Sequence, residues 1–355
     1  MRSSSTATPS SSPTRAGRGS LRFLKACRRE RTDVTPVWFM RQAGRYMPQY
    51  RKLRQKYSIL ELCRNPELAA KVTLEPVHRL GVDAAIVFAD ILLPFEPLRL
   101  GLTFTPGEGP RIERPIREAA DVERLPTFNV EAELGFVLDT LRLVRRELAD
   151  DVALIGFAGA PFTLASYAIE GGSSRTFTKT KRFMYQTPDT WHLFLSKLAD
   201  MVGRFLGAQA RAGAHALQLF DSWVGCLSPD DYRTYAAPYS RKALAIAREA
   251  GAPLIHFGTG TATFLEDFAA AGGDVVSVDW RIPLDAAWSR IGDRAIQGNL
   301  EPAALLAPEG ERTRQVRDIL KRAAGRPGHI FNLGHGVLPE TDVAAVRAVV
   351  DLVHG

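Results

Sequence analysis

The stretch Ala84-Ala85-Ile86-Val87-Phe88-Ala89-Asp90 (AAIVFAD, 84–90) decides the fold. Six apolar residues are too few for a helix. Their branched and aromatic content suits a strand covered on both faces, as in a parallel sheet. The run then ends on a carboxylate. Outward from it the same pattern recurs at PVWFM (36–40), ALIGFAG (153–159), ALQLFD (216–221), PLIHFG (253–258), VVSVDW (275–280), AIQGNL (295–300) and HIFNLGHG (329–336). Helices are punctuated between these runs. Asn65-Pro66-Glu67 reads as cap, first-turn proline and first-turn acid, with Gly81 as the stop. Residues 190–212 repeat apolar groups at helical spacing up to Gly213, and Ser228-Pro229-Asp230-Asp231 opens a helix that Gly251 ends.

Eight such units alternating with helices predict an α/β fold, a single-domain (β/α)₈ barrel, with a doubly wound sheet as the main alternative. Two observations favour the barrel: the count, and the chemistry at the strand ends. Arg41, Asp90, the 156–163 loop, Asp221-Ser222, His256, Asp279, Asn299 and His335 all fall where barrel enzymes carry their sites. A nucleotide-binding sheet would place a glycine fingerprint after its first strand, where this chain has RQAGR. Residues 95–130 are rich in proline and predict a long loop over the barrel mouth. The barrel is expected over residues 21–355. Residues 1–20 are half Ser and Thr, with too little apolar surface to fold, and predict a disordered tail. They lack the apolar core of a secretory signal. An organelle transit peptide, which would take the protein to a plastid or other organelle, is the alternative to a tail without function.

Charge excludes one class of partner. The chain has 46 Lys and Arg against 39 Asp and Glu, a formal +7. Seven of the basic residues (Arg2, Arg15, Arg18, Arg22, Lys25, Arg28, Arg29) and no acid lie in residues 1–29, so residues 30–355 are neutral. A basic face for nucleic acid is not expected. No apolar run reaches the ~18 residues of a membrane helix. Cys27, Cys63 and Cys226 are odd in number and far apart, which fits a reducing, cytoplasmic setting and no zinc ribbon.

MRQAGRYMPQYRKLR (40–54) follows the first strand and gathers Arg41, Arg45, Arg51 and Arg54. Gly44 and Pro48 argue against one continuous helix there. Arginine pairs bidentately with carboxylate or phosphate, so several on one strand-end loop imply a polyanionic ligand. The plainer alternative is a salt-bridge network, but no acid lies between Asp33 and Glu61.

RQAGRYMPQYR closely resembles the N-terminal signature of the uroporphyrinogen decarboxylases, and GFAGAPFTLASYAIEGGSS (156–174) resembles their second signature. FADIL (88–92), QLFDSWVGCLSP (218–229), FGTGT (257–261), VSVDW (276–280), IQGNLEP (296–302) and FNLGHGVLPET (331–341) look like family segments in family order. The resemblance covers about residues 20–355. It implies a (β/α)₈ barrel, a homodimer without cofactor or metal, and removal of the four acetate carboxyls of uroporphyrinogen III to give coproporphyrinogen III in haem biosynthesis.

The resemblance also implies roles. Arg41, Arg45 and Arg54 match substrate-binding arginines; Arg51 reads equally well as structural. Asp90 matches the central aspartate, whose charge would stabilise a protonated pyrrole. Its plainer reading is a cap for the next segment, which Pro94 keeps short. Tyr167 and His335 match active-site positions and are counted catalytic with Asp90 and Arg41. Tyr167 would donate to an acetate. His335, titrating near neutrality, would donate to a propionate and tune binding. Ser222 would contact a carboxylate, and Phe220 would wall the macrocycle. Trp223 departs from many relatives, which carry a smaller or polar residue. His256 ends a strand and is a candidate to line the mouth without an assigned role. Two rivals remain. A corrinoid-type methyltransferase on the same barrel would need zinc ligands, yet HFGTG (256–260) holds no cysteine. A tetrapyrrole carrier would need the arginines but not Asp90.

Overall fold

In a computed structural model that describes residues 19–105 and 109–355, seven strands run parallel in one curled sheet. They are β1 (Ala84–Ile86), β4 (Ala153–Gly159), β5 (Ala216–Asp221), β6 (Leu254–Gly258), β7 (Val275–Ser277), β8 (Ala295–Leu300) and β9 (His329–Leu333), hydrogen-bonded in that order. Between β1 and β4 an antiparallel hairpin intervenes, β2 (Leu102–Thr105) with β3 (Gly109–Ile112). All seven strands of the main sheet are buried along almost their whole length, as the continuous apolar runs require.

The eighth unit, PVWFM, closes the ring without becoming a regular strand. Val37 pairs with Phe331 of β9 as a single parallel bridge, and on its other side the Asp83 N–H donates to the Val37 carbonyl at 2.9 Å. Side chains take the remaining backbone donors. Val37 N–H goes to Asp83 (2.7 Å), Phe39 N–H to Gln42 (3.0 Å) and Met40 N–H to Asn332 (3.1 Å). The expected strand is therefore a barrel stave in position, with a short backbone ladder completed by Asp, Gln and Asn side chains.

Asp83 is the knot at the base of the barrel. Its buried carboxylate accepts from Val37 N–H, from Arg22 Nη1 at 2.6 Å and from His354 Nε2 at 2.8 Å. Three separate parts of the chain meet there: the helix Gly19–Cys27, the closing segment, and the C-terminal helix Val343–His354. Arg22 also grips Asp33. It thus belongs to the folded body, although its charge falls in the basic leader. The expected disordered tail lies outside the described residues except for Gly19 and Ser20, with which that first helix opens.

The described parts of the expected loop, 95–105 and 109–130, carry regular structure. After a single turn at Leu93–Phe95 they form the hairpin. Ile112 N–H then donates to the Gly171 carbonyl (2.9 Å) and Ile116 N–H to the Ala168 carbonyl (3.0 Å). The hairpin thereby lies along the end of the helix Pro161–Glu170.

Candidate active site

At the C-terminal ends of the strands a pocket opens to solvent, lined by Met40, Arg41, Ala43, the 86–91 segment, Phe157, Phe220, Ser222 and His335. Five of the expected residues therefore meet there: Arg41, Asp90, Phe220, Ser222 and His335. Phe220 stacks edge-on with Phe157 (5.5 Å between centroids) and with Phe257 (5.4 Å), giving an apolar wall.

Asp90 stands at the end of the β1 segment, half-buried among apolar neighbours. One carboxylate oxygen accepts the Leu92 N–H at 2.8 Å and closes a local turn, whereas the expected helix cap is not formed, since Leu92 stands at the start of the Leu93–Phe95 turn without a side-chain bond. The other has no partner among the described residues. Burial raises its pKa above the usual carboxylate value, while the Leu92 N–H and the charge of Arg41 pull it back.

Arg41 holds a left-handed backbone (φ 60°) and has no carboxylate partner among the described residues. Its side-chain stem lies against Gly336. A Cβ built there would come within 2.3 Å of the Arg41 Cδ, so only glycine leaves room. Gly334 is equally confined, its Cβ position lying 2.7 Å from the Trp280 backbone nitrogen. The GHG glycines (334–336) are close-packing residues that fix His335 between them.

His335 differs from its expectation in charge. Burial first, then the charge of Arg41, lowers its pKa to about 4. It is neutral near pH 7, not poised to titrate there. Its Nδ1 accepts the Gly336 N–H at 2.6 Å, which leaves Nε2 to carry the ring proton.

Tyr167 lies on the helix Pro161–Glu170, half-buried, and its phenol feels the charges of both Asp90 and Arg41. Burial raises its pKa to about 12, so it stays a donor. It packs edge-on against Trp223 (5.3 Å).

The remaining arginines split. Arg51 and Arg54 do not lie in a loop as expected but on the helix Pro48–Arg54, which Pro48 opens, and Arg51 donates from it to the Arg45 and Tyr46 carbonyls, as its structural reading allows. Arg45 and Arg54 stand outside the pocket lining, exposed, on the side where both reach the buried Tyr50 electrostatically. Arg54 donates to the Tyr57 carbonyl, and neither has a carboxylate partner among the described residues. The expected alternative of a local salt-bridge network is not what this loop forms.

His256 does not line the mouth. It is fully buried, stacked on Phe268 (3.8 Å), and its pKa falls to about 3 through burial. Among the described residues no group of three His, Cys, Asp or Glu side chains gathers as metal ligands. Phe157 was missed as a wall residue because an apolar residue inside a strand run carries no sign of which face it takes. Its two-residue offset from Gly159 at the strand end, where the loop begins, is the one hint.

The sequence comparisons agree with one another. The family model described as uroporphyrinogen decarboxylase (URO-D) matches residues 19–355. A relative from Sorangium cellulosum named uroporphyrinogen decarboxylase is 58% identical, covering 94% of this chain and 95% of its own. One of the same name from Solibacter usitatus is 56% identical, covering 94% and 96%. Among solved structures, a methyltransferase from Methanosarcina mazei superposes with a TM-score of 0.73 at 18% identity, covering 94% of this chain and 97% of that one, a likeness of fold alone.

Proposed function

The chain belongs to the uroporphyrinogen decarboxylase family, and from that premise we propose how its pocket performs the reaction. The activity is that of a carboxy-lyase of porphyrin biosynthesis: four acetate side chains of uroporphyrinogen lose carbon dioxide and become methyl groups. Each loss follows one course. A proton adds to a pyrrole ring carbon and leaves a positive iminium. The bond to the carboxylate breaks, its electron pair flows into the ring, and carbon dioxide departs. The exocyclic carbon then takes a proton while the ring carbon gives one up.

The observation that carries the assignment is the half-buried Asp90 carboxylate with one oxygen that has no partner among the described residues, set in an apolar pocket and faced by Arg41. A carboxylate whose charge burial disfavours gains most when a positive charge forms beside it. Its help is therefore greater for the iminium than for the neutral pyrrole. Arg41 is the cation for a substrate carboxylate inside the pocket, with a water on its guanidinium as the softer proton source than the guanidinium itself. Arg45 and Arg54 meet outer carboxylates. His335, neutral, offers an Nε2–H, and Ser222 and Tyr167 offer hydroxyls. Phe220 packs on the macrocycle face.

Asp90→Asn keeps the shape and removes the charge. Incubated with enzymatically made uroporphyrinogen, it should retain binding while turnover falls about 100- to 1,000-fold, read as loss of the heptacarboxyl to tetracarboxyl products on chromatography. Unchanged turnover would sink the role, and a wild-type chain that forms none of these products would return the carrier reading. Family membership also supports one catalytic domain over residues 21–355, working as a homodimer in the cytoplasm. Sedimentation of the purified chain as a monomer at micromolar concentration would count against the dimer.

A further inference from the structure

Trp223 follows Ser222 at the end of β5, outside the residues that line the pocket. Its backbone N–H donates to Thr163 Oγ1 at 3.3 Å, and that hydroxyl donates to the buried Asp221 carboxylate at 2.9 Å. Asp221 takes a second hydroxyl, from Ser240, at 3.3 Å. The indole ring is wedged between two others, edge-on to Tyr167 at 5.3 Å and to Phe177 at 5.0 Å. Backbone and ring are thus both held.

The indole nitrogen is nonetheless buried without a hydrogen-bond partner among the described residues. An indole N–H can only donate. Left unmet, such a donor loses its hydration without return, so an acceptor within a small adjustment should be taken up. Of the two rings that flank the indole, only that of Tyr167 carries an acceptor oxygen, and the Trp223 and Ser173 side chains both lower the phenol's pKa against the burial that raises it. A phenol oxygen is acceptor and donor at once. If one lone pair is taken by a donor from behind, its own O–H must point elsewhere, to the Ser173 hydroxyl or toward Asp90 and Arg41, whose charges the phenol feels.

We propose that Trp223 is a positioning residue for decarboxylation: its indole N–H engages the Tyr167 oxygen and turns the Tyr167 O–H toward the substrate. The proposal rests on the reading that Tyr167 meets the substrate. Trp223 itself touches neither substrate nor reacting atoms. Its effect reaches the reaction through the rotor of one hydroxyl, which without it samples several directions.

The test is a double-mutant cycle. Trp223→Phe keeps an aromatic ring against Tyr167 and Phe177 and deletes the N–H. In the wild-type background it should lower kcat/KM for uroporphyrinogen about fivefold to tenfold with the urea midpoint unmoved. In a Tyr167→Phe background the same change should have no further effect, because the oxygen it acts on is gone. Equal losses in both backgrounds, or none in either, overturn the proposal. No loss on Tyr167→Phe alone instead overturns the underlying reading of Tyr167. Should Trp223→Phe not fold, the indole N–H resonances of the otherwise intact chain give the same answer. One of the five should move on Tyr167→Phe, and none moving refutes the contact.

Discussion

Arg41 and Gly336 show how a site residue depends on a neighbour that has no side chain. The guanidinium carries the charge, yet its stem can lie where it does only because position 336 has no Cβ. Gly336→Ala should push the arginine off its course. The expected loss is that of one charge-assisted hydrogen bond, about 1.5–3 kcal/mol, or roughly a tenfold to hundredfold rise in the KM for uroporphyrinogen. A KM within twofold of the parent would show that the stem has room to move. The arginines themselves were legible, since four after one strand end with no acid nearby is a signal about a ligand, but the helix Pro48–Arg54 that carries two of them was not. The role of Gly336 was not, because a glycine between two motif residues reads as flexibility until the side chain packed against it is known. His335 gives the same lesson for charge. Its residue type suggests titration near neutrality, while burial and the Arg41 charge decide that it does not.

At the scale of elements, closure of the barrel is concentrated at Asp83. That carboxylate holds the closing segment, the first helix and the last helix through Val37 N–H, Arg22 and His354. Removing it leaves Arg22 without one of its two carboxylate partners and exposes an unpaired backbone donor in the interior. Losing one partner of a buried pair costs about 3–5 kcal/mol. Asp83→Ala should therefore lower stability by that order, measured by urea unfolding; a loss under about 1 kcal/mol would place the pair among weak surface contacts. The long apolar runs were correct guides to seven strands. PVWFM was a correct guide to a stave but not to its hydrogen bonds, since Asp83, Gln42 and Asn332 are distant or polar residues whose aim depends on the fold. Prolines break patterns, so the Pro-rich connection reads as loop in the sequence, yet its backbone pairs with the end of the 161–170 helix.

For the whole molecule, acid stability should follow its buried histidines. His256, His329 and His335 have folded pKa values of about 3, 4 and 4, below the ~6.5 of an unfolded histidine. Between about pH 4 and 6.5 the unfolded chain binds their protons and the folded chain does not. Each therefore adds stability above pH 6.5 that is lost as the pH falls, at about 1.4 kcal/mol per pH unit. Asp221, raised to about 7 by burial, works in the opposite sense over much of that range, holding its proton only when folded. His256→Phe tests the balance away from the pocket: the rise of unfolding free energy with pH between 4.5 and 6 should flatten by about 1.4 kcal/mol per pH unit. An unchanged slope would mean that His256 is not held neutral.

What the sequence determined by itself is the alternation of buried runs with capped helices, the placing of polar chemistry at strand ends, and the segments that resemble a known family. These are local patterns, written in residues adjacent along the chain, and from them the barrel and the decarboxylase reading followed. What only the tertiary structure decided is which distant groups share one space. It set Arg41 against Gly336 and Asp90, Asp83 against three separate elements, and Trp223 behind Tyr167. The physical reason is that desolvation, charge–charge proximity and unmet hydrogen-bond donors are properties of an environment assembled from residues tens to hundreds of positions apart. No local pattern contains the distances on which they depend.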